Sequence, residues 1–278
     1  MVVKNYEVLK ICYKVFISQK KCAIISVIEN RGRSVCMFKN YIFDLYGTLI
    51  DIRTDEDDKA LWEKMVLFYG YREAEYTPYE LRCKYQELCA LEKAAVKKAN
   101  PTHKHVDIDL TKVFQDLYAF KKVEVSREVA ALTANTFRCY STEFIKLYKG
   151  VPEFLQALKA KGKKVFLLSN AQHDFTLPEI KMMGLEKYFD DIVISSDVAC
   201  KKPDPHMYEI LFKRHKLKKS ETIMIGNDFL ADIKSAYEFG IQSLYIHQEI
   251  SSPITEKLRS TWSIMDGDFT KIMPLVLK

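Results

Sequence analysis

From residue 164 to 247 the chain repeats one unit: a short unbroken apolar run, a stretch of helical periodicity, then another apolar run. The runs are "KVFLLSN" (164–170), "DIVISS" (191–196), "TIMIGND" (222–228) and "QSLYIH" (242–247). A run without polar alternation is buried on both faces, and strands joined through helices run parallel, because a parallel pair needs a long crossover. Pro205 and its neighbours open one helix, and Gly240 stops another after Phe239. "TLPE" (176–179) has the form of a helix cap. The pattern predicts an α/β fold, a Rossmann-like parallel sheet with helices on both faces.

An earlier apolar run, "YIFDLYGTLID" (41–51), is cut off from this series by a long helical interruption. Acids at 55–58 suit a helix start, and that helix runs to about residue 69. "TPYE" (77–80) supplies an N-cap, a first-turn proline and a capping-box glutamate for a helix to about 98. Further helices fit 110–120 and 126–147, and no strand is expected in between. The expected organisation is an α/β core from 37–54 and 148–278, with 55–147 inserted as an all-helical cap. The run "HKHVDID" alternates His103, His105, Asp107 and Asp109, and following Asn100-Pro101 it reads as a polar inter-helix loop.

The formal charge of +6 is concentrated at one end. Residues 1–36 hold seven basic side chains against two acidic ones, leaving 36 basic and 35 acidic in the rest. The body therefore has no compositional case for a nucleic-acid partner. No run is long enough to cross a bilayer, and no membrane partner is expected. The seven cysteines show neither CxxC spacing nor a paired framework, consistent with reduced thiols in a cytoplasmic protein. No heptad pattern marks an oligomer interface.

The strand ends carry the chemistry, since parallel α/β sheets present functional groups just beyond their carboxyl ends. They offer Asp44 and Thr48, then Ser169 and Asn170, then Lys202, then Asp228 and Asp232. Asp44 suits a carboxylate nucleophile forming a covalent intermediate. Thr48, Ser169 and Lys202 suit the holding of anionic oxygens. Asp44, Asp228 and Asp232 suit Mg²⁺, a hard cation that takes carboxylates together with substrate oxygens. A small anionic substrate is expected.

"FDLYGTLID", "LLSN", "KKPDPHMY" and "IGNDFLAD" resemble, in order and context, the four motifs of the haloacid dehalogenase-like hydrolase superfamily. The resemblance covers residues 40–247, with 55–147 in the place of that family's helical cap. It implies Asp44 as nucleophile, Thr48 and Ser169 as substrate-oxygen ligands, Lys202 as the charge-balancing lysine and Asp228 and Asp232 as metal acids.

Two departures matter. Phosphatases of this family usually carry a second aspartate two residues after the nucleophile, where this chain has Tyr46. The family's metal-free dehalogenases typically have tyrosine there, and Tyr208 also resembles their pattern, although it equally suits helix packing. The first acid of the fourth motif is commonly the residue after Gly226, here Asn227, leaving open whether Asn227 or Asp228 faces a metal.

The acid pair favours an Mg²⁺-dependent phosphatase acting on a small phosphate ester through an aspartyl-phosphate. The alternatives are a metal-independent 2-haloacid dehalogenase, with Arg53, Arg72 or Arg82 as carboxylate binder, and a catalytically weak binding or regulatory member. Either way Tyr46 is assigned a catalytic position, and Asn170 a place at the substrate.

Met37 offers a plain start, "MFKNYIFDLYG", which makes 1–36 an upstream in-frame extension; the other reading is a genuine basic arm. Intact-mass analysis of the natively expressed protein is expected to give a chain beginning at Met37, and a Met1 terminus would assign 1–36 to an arm.

Overall fold

The computed structural model describes residues 38–277. The basic extension and its three cysteines lie outside them. Six strands form a parallel sheet in the order β5-β4-β1-β6-β7-β8. They are β1 (Asn40–Phe43), β4 (Lys164–Ser169), β5 (Asp191–Ile194), β6 (Thr222–Gly226), β7 (Gln242–Ile246) and β8 (Trp262–Ile264). β1 is central, paired in register with β4 on one side and β6 on the other. This is the point at which strand order reverses and a crevice opens beyond the strand ends.

Side-chain alternation assigns each strand's residues to opposite faces. Tyr41, Phe43, Val165, Leu167, Ile223 and Ile225 share one apolar cluster, and Ile42, Phe166, Leu168 and Met224 share another. On the first face pack the helix Val151–Ala160 and the chain end; on the second, the helix His206–His215. Phe154 meets Tyr41, Phe43 and Phe269 edge to face at centroid distances of 6.3, 5.9 and 5.9 Å, the arrangement that ring quadrupoles favour.

The cap is a second apolar cluster built on α1 (Lys59–Gly70), α2 (Pro78–Ala99), α3 (Leu110–Phe120) and α4 (Arg127–Ser141). Caps written in the sequence start them: Asp58 accepts from Ala60 N–H, Thr77 from Glu80 N–H, and Ser126 from Val129 N–H.

Three sequence expectations are corrected. The helix expected over 126–147 stops at Ser141, and β3 (Thr142–Leu147) pairs antiparallel with β2 (Ile50–Thr54). The alternating "TEFIKL" has strand character, and an available partner overrides the helical reading. This two-stranded ribbon is where the chain passes between core and cap. β8 is also new, an edge strand too short to read as periodic. Finally, "TLPE" does not begin its helix, which opens at His173 and runs to Met182 as α5, with Pro178 inside it. Thr176 and Glu179 instead turn inward.

Among the described residues no helix is long and apolar enough to cross a membrane, and the four cysteines there are unpaired thiols. Phe154→Ala is expected to destabilise the protein by about 3–5 kcal/mol, the usual cost of emptying a buried aromatic site. Urea unfolding measures it, and a loss below about 1 kcal/mol would remove Phe154 from the centre of the core.

Candidate active site

The tip of β1 turns through a tight loop. Leu49 N–H and Ile50 N–H both donate to the Leu45 carbonyl, and Gly47 N–H donates to Ile50. Gly47 has φ +79°, and a Cβ there would overlap the Asn227 amide, so glycine alone lets the loop close against β6. The loop holds Asp44 at the floor of a cavity of about 190 Å³ that Ser169, Lys202, Asn227, Asp228 and Asp232 also line. A second cavity of about 420 Å³ extends it beneath the cap, sharing Tyr46 and Asn170.

Lys202 is the centre of charge. Its Nζ donates to Asp44 Oδ1 and to Asp232 Oδ1, each at 2.7 Å. Its side chain is 1% exposed and that of Asp232 0%. Burial works against the ammonium, but the carboxylates of Asp232 and Asp44 more than offset it and hold the pKa above the usual lysine value. Burial pushes the Asp232 carboxyl upward; Lys202 pulls it back and Asp44 pushes it further. Asn170 fixes the lysine's backbone reciprocally: its amide donates to the Lys202 carbonyl at 2.9 Å and accepts from the Lys202 N–H at 2.8 Å. Asn170 thus lines the cleft while one amide N–H and its oxygen bond the Lys202 backbone.

Ser169 stands differently. Among the described residues its hydroxyl is the one buried side-chain polar atom without a hydrogen-bond partner. A buried hydroxyl in that state is costly unless something fills its need, and here it lines the cavity beside Asp44. That fits a ligand for a substrate oxygen.

Two residues expected at the substrate lie elsewhere. Thr48 is fully buried, and its hydroxyl donates to Asn227 Oδ1 at 3.1 Å. Tyr208 is also fully buried; its ring stacks on Phe239 and its hydroxyl bonds Ser235 at 3.0 Å. It packs the helix carrying Asp232 against its neighbour and does not line the cleft.

The acids assigned to Mg²⁺ line one cavity, but each is already bonded within the protein. Both oxygens of Asp232 are taken, one by Lys202 and the other by Asp228 N–H at 2.9 Å. Asp228 caps the π-helical turn Phe229–Lys234: one oxygen accepts from Leu230 and Ala231 N–H at 2.8 and 2.6 Å, the other from the Ser252 hydroxyl at 2.8 Å. Asn227, which faces the nucleophile loop, is uncharged. Among the described residues no three acid, histidine or cysteine side chains gather as a metal-ligating group. Mg²⁺ takes one or two carboxylates together with water and substrate oxygens, and here the carboxylates of Asp228 and Asp232 already accept protein donors.

Tyr46 is the largest surprise. Its hydroxyl donates to Glu179 Oε2 and lies 3.1 Å from the Thr176 hydroxyl. Burial, and then the charge of Glu179, push its pKa well above the usual phenol value. Above it lies Arg138 from the cap, 5.3 Å from the ring centroid and paired through Nε with Glu179 Oε1 at 2.6 Å. Sequence reasoning missed Arg138 and Glu179. The Thr176 and Glu179 spacing of three residues signalled a shared helical face, but nothing in the sequence pointed to Arg138. The three arginines considered as carboxylate binders do not line the cleft: Arg53 pairs with Glu143 and Glu249, Arg82 with Asp57, and Arg72 stacks on Phe68.

Lys202→Met is expected to cost about 3–5 kcal/mol, because it strands two carboxylates in a closed site. Adding Asp232→Asn is expected to restore part of that loss. Urea unfolding of the single and double variants tests it, and an additive double variant would refute the shared-ammonium account.

Comparison with known proteins agrees with this architecture. The sequence profile described as haloacid dehalogenase-like hydrolase matches residues 83–246. Pyrophosphatase PpaX of Halalkalibacterium halodurans is 28% identical over 130 residues, 46% of this chain and 60% of that protein. A glyceraldehyde 3-phosphate phosphatase of Methanothermobacter thermautotrophicus is 25% identical over 44% of this chain and 54% of that protein. The chain thus matches little more than half the length of these relatives. (S)-2-haloacid dehalogenase 4A of Burkholderia cepacia is 23% identical over 83% of this chain and 96% of that protein. The crystal structure of a 2-haloacid dehalogenase from Pseudomonas syringae superposes with a TM-score of 0.61 at 19% identity, covering 87% of this chain and 98% of that one, a likeness of fold. With the profile spanning more than half the chain, this protein belongs to the haloacid dehalogenase-like hydrolases.

Proposed function

We propose that Asp44 attacks a small anionic substrate and expels a leaving group that departs as a stable anion, with halide on the carbon beside a carboxylate as the leading case. The observation carrying this is the direction of the Tyr46 hydroxyl, which faces Glu179 and Thr176. An alkyl phosphate releases an alkoxide and needs a proton from the site; lacking that donor costs roughly 10²–10⁴-fold. Halide needs none. The commitments of Asp228 and Asp232 to the helix cap and to Lys202 support a reaction that does not depend on Mg²⁺.

In the first step an Asp44 oxygen bonds to the halogen-bearing carbon while the carbon–halogen bond breaks and its electron pair leaves with the halide. Water then adds to the Asp44 ester carbonyl. The acyl carbon–oxygen bond breaks, releasing the 2-hydroxy acid, restoring the carboxylate and passing one proton to the medium. Lys202 orients Asp44 through Oδ1, and Ser169 is the donor available to a substrate carboxylate. The near full-length likeness to a protein named as a haloacid dehalogenase supports the same reading.

The earlier expectation of phosphate transfer remains as a second reading, favoured by the Asp228 carboxylate lining the cavity and by the phosphatase relatives. In this site it suits an acyl phosphate, whose carboxylate also leaves without a proton.

The test gives purified protein 2-chloropropionate, acetyl phosphate and an alkyl phosphate, each with Mg²⁺ and with chelator, alongside Asp44→Asn. Chloride release indifferent to chelator and lost in the variant is the expected result. Chelator-sensitive release from the alkyl phosphate would replace it with a metal-dependent phosphatase. No turnover by folded protein would point to a binding role.

A further inference from the structure

Glu179 lies on a core helix, is 7% exposed and serves two masters. Oε2 accepts the hydroxyl of Tyr46, two residues past the nucleophile, and Oε1 accepts Nε of Arg138, on the last turn of cap helix α4. A second contact, Nη2 to Oε2 at 3.4 Å, makes the ion pair two-pronged, and the Arg138 side chain is only 14% exposed. The guanidinium lies over the rings of both Tyr46 and Phe175, 5.3 and 5.4 Å from their centroids.

Arg138 is also where the cap chain turns into its hinge. Its carbonyl accepts the hydroxyls of Ser141 at 3.1 Å and Thr142 at 2.7 Å, at the junction of α4 and β3. A further attachment of the cap is separate. Asp204 accepts Lys104 and His105 N–H, Lys201 N–H donates to His105, and Gln172 bonds Ile108 and Leu110. That seam touches none of the three residues.

We infer that Glu179 is a positioning residue that couples cap closure to the pose of the nucleophile loop, holding Arg138 of the cap and Tyr46 of the loop with one carboxylate. A buried carboxylate with a cationic and a phenolic partner loses its best arrangement if either leaves, so each partner's position depends on the other. The hinge then closes against a loop already set for attack, and a loop that shifts loosens the hinge. This holds whichever leaving group the site takes.

Amide hydrogen exchange tests the coupling without requiring turnover. Glu179→Gln keeps the side chain's shape but removes its charge, and is expected to speed exchange of the 137–147 amides by about tenfold or more. Tyr46→Phe removes only a hydroxyl in the core loop, yet it too is expected to speed those cap and hinge amides, by about threefold. In the Glu179→Gln background, Tyr46→Phe is expected to add nothing. The 103–108 amides of the separate seam should be unmoved, which distinguishes coupling from general destabilisation. Unchanged 137–147 exchange in Tyr46→Phe would overturn the inference, as would two effects that simply add. So would acceleration spread evenly over the cap.

Discussion

The Lys202 ammonium, closed off from solvent between Asp44 and Asp232, is the contact on which the rest of the site depends. A single buried cation with two carboxylates cannot be assembled by one segment. Asp44 comes from the end of β1, Lys202 from the loop after β5, and Asp232 from the turn after β6. Each group would be very costly to bury alone, so the three segments are held to a common point. The close packing around it follows: Gly226 leaves room for the Asp232 carboxylate and Gly47 for the Asn227 amide. The reciprocal Asn170 bonds then stop the lysine loop from drifting.

Around that charge centre the remaining polar groups divide by whether their bonding is complete. Asp228, Asn170 and Thr48 are committed to caps, backbone and neighbours. Ser169 is not: its buried hydroxyl has no partner and lines the cavity beside Asp44. The same accounting changes the meaning of Tyr46. A phenol next to the nucleophile loop invites an acid–base role, but its proton is directed to Glu179 and its burial disfavours ionisation. That bonding is what the proposed release of a leaving group carrying its own charge rests on.

The cap meets the core through two kinds of contact. One is a backbone-rich seam in which the loop containing His103 and His105 runs along the 195–204 segment. Asp107 there accepts the Ser195 hydroxyl at 2.5 Å. The "HKHVDID" run is thus a polar docking loop, its backbone groups engaged with the core. The other is made to side chains on the core helix α5: Arg138 with Glu179 at the ribbon, and Thr111 and Arg127 with Asp174. The first is mostly main-chain; the second is made by side chains, its Arg138–Glu179 pair beside the β2–β3 ribbon.

Much of this was legible in the amino-acid order. Unbroken apolar runs define the parallel strands, because strands buried on both faces admit no polar alternation. Strand ends define where Asp44, Ser169, Lys202 and Asp232 lie, because parallel topology puts functional groups there. Thr77, Ser126, Gly150 and Gly240 mark helix boundaries through local backbone chemistry. What tertiary structure alone decided were the pairings across long sequence gaps. The 142–147 segment became a strand because 50–54 lay beside it. Thr176 and Glu179 left a cap motif to meet Tyr46, and Arg138 reached the cleft from a helix with no distinguishing pattern. Local rules act over a few residues, whereas a buried charge or hydroxyl takes its partner from whatever the folded chain brings within about 3 Å.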